Sequence, residues 1–425
     1  MIGVAVGLGN VWRFPYMVGK FGGAAFVLVY LAAVLLLGVP GLAAEWALGR
    51  HTRRGPVGAF ARAGLPGGRA AGWFFFGVML LSTGYYTNAL GWVLSHALGE
   101  AARLLGAEWT AAAILPPAEG FALRPFLLQI AATTALLGGI ALVLLKGLRA
   151  GIERASRLLV PLLFGVLLVL IARALTLPGA GAGVAWYLGK FDLAALEPRS
   201  VAAAFGQVFF SLSLGGTMMV VYGSYLGPED DIPRNAAVTA AGDTAAGLLA
   251  GLGILPAVVA LGLEPTSGPD LLFVTLPRVF ASLPAGGLFG LLFYLGLLGV
   301  AFLSAVAAYE VQVAALTDNT RLDRRRAVFL LAGLIALGAL APMVNLRIFL
   351  AWDLTFGSGM QALGSLLAVL AAGWWLDRTA LLRELGGDAP PRPAILLLYA
   401  WIRYVVPLLV GGVGLWWLLS EALAA

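Results

Sequence analysis

GVAVGLGNVWRFP at positions 3–15 and GQVFFSLSLGGTM at positions 206–218 decide how this chain folds. Each lies in an apolar run long enough to cross a bilayer, yet each is dense in glycine and interrupted by polar side chains. A helix in hydrocarbon keeps its backbone groups paired internally, and unwound backbone is tolerated at mid-depth only where it lines a cavity or is covered by protein. Close packing of small residues accounts for Gly3 and Gly7, but not for Asn10 and Arg13 in one span. Both runs are therefore expected to break at their centres, turning free carbonyls and amides toward one another.

The rest of the chain fits this reading. Of 425 residues, 61% are hydrophobic and 11% charged, and the mean hydropathy is +0.94. This composition describes a polytopic all-α membrane protein. It excludes a soluble enzyme with one anchor and a disordered or nucleic-acid-binding chain. With about 20 apolar residues per span, eleven spans are expected: 1–19, 24–48, 71–99, 126–145, 155–177, 201–226, 235–262, 285–316, 327–344, 349–376 and 394–420. There is no Cys, and His51 and His96 stand far apart, so no metal centre built on thiolate or imidazole is suggested.

Basic residues gather in connections on one side, notably Arg50, Arg53, Arg54, Arg62 and Arg69, then Lys146, Arg149, Arg154 and Arg157, then Arg321, Arg324, Arg325 and Arg326. By the positive-inside rule the N-terminus is expected in the cytoplasm and the C-terminus outside a cell (inner) membrane. All connections read as Pro/Gly-containing links, so 1–425 forms one transporter domain, with no partner protein implied. The interrupted spans open two consecutive five-span blocks, about 1–177 and 201–376, with an extra helix at about 394–420. This is the pattern of an inverted-repeat transporter whose ligands sit at the midplane between discontinuous helices.

VGLGNVWRFPY (6–16), GGAAFVLVYL (22–31), GxPxxxxEWALGR (38–50), the Tyr85-Tyr86 pair, KGLRAGIERASRLLVP (146–161) and GQVFFSLSLG (206–215) occur in this order. Together they resemble the neurotransmitter:sodium symporter family, in its bacterial, eleven-span form. The resemblance implies a LeuT-like inverted five-helix repeat with broken first and sixth helices and one extra C-terminal helix. It also implies sodium-coupled symport of an amino acid into the cytoplasm by alternating access, with one or two Na⁺ and no enzyme activity.

Carried over by motif, the resemblance implies that the substrate carboxylate meets the amides of Leu8 and Gly9 and the Tyr86 hydroxyl. The ammonium meets carbonyls of Ala5, Phe210 and Ser211 and the Ser213 hydroxyl. The first sodium site is expected at Ala5, Asn10, Ser211 and Asp243. Chloride-dependent relatives carry a neutral Asn at the Asp243 position, so the fixed charge predicts chloride independence. The second sodium site is expected at Gly3, Val6, Val300 and Ser304, with Leu303 where the family carries a further hydroxyl. Ser82, Gly216 and Ala308 stand where bulkier residues occur in the leucine-binding prototype, which predicts a large hydrophobic or aromatic substrate.

Arg13 and Asp353 are expected to pair as the outer gate, with Phe210 and Tyr86 as a lid. Asp318, Tyr225 and Ser224 match the inner gate, whose usual Arg and Trp partners would lie upstream of residue 1. With about five residues before the break, the first half-helix would reach about 7.5 Å against a leaflet of about 15 Å, so a start upstream of residue 1 or a truncated chain is expected. Glu45 is expected to brace the sixth span through backbone N–H groups, and Glu310 to be a buried structural acid. The competing readings are a proton-coupled carrier of the same fold, motivated by Leu303 and the buried acids, and an amino-acid sensor that does not transport. A membrane-embedded enzyme would need a catalytic dyad or metal cluster, and the sequence offers neither.

Overall fold

A computed structural model describes residues 7–146, 149–189, 191, 196–263, 271–281 and 284–424. Its helices follow the apolar runs: α1 over 9–20, α2 Ala24–Thr52, α3 Gly68–Leu104, α4 Leu123–Leu145, α5 Arg149–Leu175, α6 in two pieces, Pro198–Ser211 and Met218–Ser224, α7 Ile232–Ala260, α8 Gly286–Asn319, α9 Arg324–Ala339, α10 Leu346–Trp375 and α11 over 393–424. Among the described residues, seven helices are long and apolar enough to cross a bilayer: α2, α4, 158–175 of α5, α7, α8, α10 and α11. At 37 residues α3 is longer still, but it carries Ser82, Thr83, Thr87, Asn88, Ser95 and His96 on its buried side.

The helix starts are written in capping residues, whose side-chain oxygens satisfy otherwise unpaired backbone N–H groups. Asp231 accepts from the Arg234 N–H at 3.0 Å before α7, Asp323 from Arg326 at 2.9 Å before α9, and Asn345 from Ile348 at 2.9 Å before α10. The connections expected to be plain links contain short helices instead, at Pro56–Arg62, Leu276–Ala281 and Arg378–Gly386. The last is nucleated by Asp377, which caps both Thr379 and Ala380, a local signal independent of hydropathy.

Packing positions the site. Of the seven long apolar helices, α7 has the largest share of its apolar window buried, 67%, whereas α11 lies at the periphery with 22%. α3 lies along α8, and α7 packs against α5 and α1. α2 approaches the second piece of α6 so closely that only glycine fits between them. A Cβ on Gly223 would fall 2.6 Å from the Trp46 Cα, and one on Gly49 would fall 2.9 Å from the Ser224 amide nitrogen. Wide π-turns at Gly9–Arg13 and Asp353–Gly359 interrupt α1 and α10, and such turns re-aim side chains locally. They contribute Asn10, Arg13, Asp353 and Ser358 to the site.

Candidate functional site

The break in α6 falls at 212–217, inside the stretch expected to unwind. Two residues there take left-handed backbone, Ser213 at φ 55° and Gly216 at φ 69°. The Glu45 carboxylate oxygen Oε1, from α2, accepts the N–H groups of Gly215 and Gly216, both at 3.0 Å. Glu45→Ala would strand two buried donors at about 1–3 kcal/mol each. The expected result is at least a tenfold loss of substrate affinity with a lowered melting temperature, and partial recovery in Glu45→Gln, which keeps an acceptor. A binding titration on both purified variants checks it.

Beside the break, Asn10, Ser211 and Asp243 meet out of reach of solvent. Asn10 Nδ2 donates to Ser211 Oγ at 3.0 Å, to the Asp243 carbonyl at 2.8 Å and to Asp243 Oδ1 at 2.7 Å, while Ser211 Oγ donates to Asp243 Oδ2 at 2.7 Å. Asn10 Oδ1 accepts from the Gly7 N–H at 2.9 Å, fixing the turn where α1 begins. Three oxygens thus surround one amide nitrogen that carries two hydrogens. The partners of the Asp243 carboxylate here are neutral groups.

A cavity of about 90 Å³ opens between the start of α1 and the break in α6. Leu8, Gly9, Ser82, Tyr86, Phe210, Ser211, Ser213 and Ala308 all line it. Ala5 lies outside the described residues. Gly216 does not line the cavity: a Cβ there would lie 2.6 Å from the Gly364 carbonyl and 2.9 Å from the Phe60 ring. The left-handed turn faces it away, so the room once ascribed to its missing side chain is taken by protein. Gly9 is needed for close approach, since a Cβ would sit 3.0 Å from the Phe210 ring. Thr83, Phe75, Met79, Met218 and Gln361 also line the cavity, and the motif reading did not find them. For Gln361 the available signal was an amide within an apolar run.

Arg13 stands behind the Phe210 wall of this cavity. Its Nε lies 3.0 and 3.1 Å from the two Asp353 oxygens, Nη1 donates to Gln207 Oε1 at 2.7 Å, and Nη2 donates to Ser358 Oγ at 2.5 Å. Asp353 also accepts from Tyr16 at 2.7 Å and from Tyr85 at 3.2 Å. The guanidinium stands 4.7 Å from the centre of the Phe210 ring, so the ion pair rests on the cavity's aromatic wall. Gln207, which had no role in the motif reading, also donates to the Gly9 carbonyl at 2.9 Å and ties α6 to the first turn of α1.

The profile of one family, described as the sodium:neurotransmitter symporter family, matches residues 1–106 and 128–413. The chain belongs to the sodium:neurotransmitter symporter family. It is 32% identical to an uncharacterized sodium-dependent transporter of Bacillus subtilis (strain 168), over 96% of this chain and 93% of that one. It is 33% identical to another of Haemophilus influenzae, with the same two coverages. A sodium-dependent serotonin transporter of Drosophila melanogaster is 26% identical, over 88% of this chain and 67% of that one. Among solved structures, MhsT in complex with L-phenylalanine matches with a TM-score of 0.88 at 32% identity, covering 98% of this chain and 96% of that one. The fold is therefore the LeuT-like one that the sequence pattern implies, and the chain is a sodium-dependent transporter rather than an enzyme.

The remaining family positions are distributed as follows. Of the second sodium site, Gly3 and Val6 lie outside the described residues. Ser304 Oγ donates to the Val300 carbonyl at 3.2 Å, and a Cβ on Gly7 would lie 3.1 Å from that hydroxyl oxygen. Leu303 is buried in the same helix. At the opposite end from Arg13, Asp318 borders a cavity of about 680 Å³ with Arg54, Arg62 and Arg69. Ser224 and Tyr225 end α6, where Arg53 Nη1 holds the Ser224 carbonyl at 2.9 Å and the Leu226 carbonyl at 2.7 Å. Glu310, expected to be buried, is partly exposed and grips Arg324 at 2.6 and 3.0 Å. That pair fastens α8 to the start of α9.

Proposed function

We propose that this sodium-dependent transporter carries an amino acid with a large hydrophobic or aromatic side chain into the cytoplasm by alternating access, without chloride. The observation that carries the reading is Asp243, a carboxylate fully out of solvent whose hydrogen-bond donors are the neutral Asn10 and Ser211. An intramembrane charge without a cation is expensive, and hard oxygen donors around it suit a hard cation. Na⁺ supplies that charge at Asn10, Ser211, Asp243 and Ala5. A second Na⁺ would bind at Gly3, Val6, Val300 and Ser304.

The substrate carboxylate lies at the Leu8 and Gly9 amides and the Tyr86 hydroxyl, where a helix start favours an anion. The ammonium lies at the Ala5, Phe210, Ser211 and Ser213 oxygens. Arg13 and Asp353 form the outer gate, and Asp318, Tyr225 and Ser224 the inner one. In this scheme the blocks 1–177 and 201–376 are the two repeats of a single domain, and the N-terminus is cytoplasmic. Each Na⁺ entering down about 100 mV and a tenfold gradient supplies about 3.7 kcal/mol, enough for a roughly 500-fold accumulation.

Uptake into proteoliposomes with Na⁺ replaced by choline tests the coupling. A fall to background is expected. Undiminished uptake would overturn sodium coupling and favour a proton, and binding without accumulation would favour a sensor. The side-chain reading has its own test in Ala308→Leu, which fills the cavity. Overpacking of about 1–3 kcal/mol should weaken competition by large amino acids by about five- to a hundredfold while sparing alanine.

A further inference from the structure

The polar side chain that this scheme leaves unused is Gln361. It stands on α10 against the unwound link, where a Cβ added to Gly215 would lie 3.6 Å from its Cα, Cβ and Cγ. It shares the cavity wall with Phe75, Met79, Met218 and Ala308, and the last three belong to one apolar cluster. Its Oε1 is buried and has no hydrogen-bond partner. Two other polar groups on this wall, Ser82 and Thr83, are already engaged. Ser82 Oγ donates to the Phe356 carbonyl at 2.9 Å, and Thr83 Oγ1 donates to Met79 at 2.8 Å and accepts from Gln312 at 2.8 Å. Among the described lining residues, Gln361 is the one with a buried oxygen left over.

A buried acceptor without a donor is costly, and a ligand that brings the donor removes the cost. We infer that Gln361 is a specificity-determining residue that accepts a hydrogen bond from the side chain of the bound amino acid, selecting an indole N–H or phenol O–H over a plain phenyl or aliphatic group. This rests on the amino-acid reading above. The wall then matches a side chain with an apolar body and one polar tip. A site built to hydrogen-bond such a tip discriminates against the analogue lacking it.

Calorimetric titration of the purified full chain in sodium buffer tests the assignment, with L-tryptophan, 3-benzothienyl-L-alanine (sulfur in place of the indole N–H), L-tyrosine and L-phenylalanine. Tryptophan should bind about tenfold tighter than its sulfur isostere, and tyrosine about tenfold tighter than phenylalanine. In Gln361→Met both ratios should fall to about one. Equal affinities within each pair on the native chain overturn the inference and leave the amino-acid reading standing. Ratios that persist in Gln361→Met overturn it as well, because the donor is then met elsewhere. No binding by any of the four overturns both. Should Gln361→Met fail to fold, the two ratios on the native chain decide.

Discussion

Asp243→Asn should abolish sodium-dependent uptake or leave it only when chloride is supplied. The substitution keeps shape, with the amide oxygen accepting from Asn10 at the Oδ1 position and the amide nitrogen donating to Ser211, whose hydroxyl now donates to Oδ2, so the fold should survive. What disappears is a full negative charge in a site sealed from water. At an effective dielectric constant of about 20, a charge about 4 Å from a cation is worth about 4 kcal/mol, so sodium affinity should drop roughly a thousandfold. Sodium titrations of uptake in chloride and in gluconate measure this directly. A variant that transports normally and ignores chloride would remove Asp243 from the ion site.

Asp353→Asn should separate binding from transport. Arg13 would lose a charged two-oxygen partner and keep one neutral amide oxygen beside Gln207 and Ser358, and Tyr16 and Tyr85 would lose a charged acceptor. Breaking one side of a buried pair costs about 3–5 kcal/mol, here charged to the state in which the gate is shut. The equilibrium should move toward the open gate by at least a hundredfold. Labelled amino acid should still bind in detergent but leave faster, and net uptake should fall at least tenfold. Normal uptake with an unchanged off-rate would show that the pair is not a gate.

Much of this architecture was legible because bilayer residence leaves a coarse signal. From the second span on, each came within a few residues of its helix, the start of the first lying outside the described residues, and the α6 break at 212–217 was announced by polar residues and glycines that an unbroken span does not need. Rotational detail was not legible. Gly216 was assigned to the cavity from its alignment, yet the φ of 69° turns it to Phe60 and Gly364, a choice made by one backbone angle. Glu310 was expected to be a buried structural acid, and its Arg324 partner, on the next helix, could not be inferred from span periodicity. Gln207 and Gln361 were passed over because an amide carries no charge to flag it. Their roles depend on which helix lies opposite, as with Gln207 reaching Gly9. The short helix at Arg378–Gly386 was missed for the reverse reason, because its start is set by a cap rather than by apolar residues.

The glycine contacts between α2 and the second piece of α6 constrain how the molecule can move. Gly49 and Gly223 leave little slack for sliding or tilting in a close-packed contact, so these two helices should move together. The first piece of α6 is seated on α10, where a Cβ on Gly206 would lie 2.8 Å from the Ser358 Cβ. Any relative motion of the two pieces of α6 would have to be taken up by the link at 212–217, with Glu45 carried on the α2 side. A bulky residue at Gly49 or Gly223 would alter the bearing rather than the cargo.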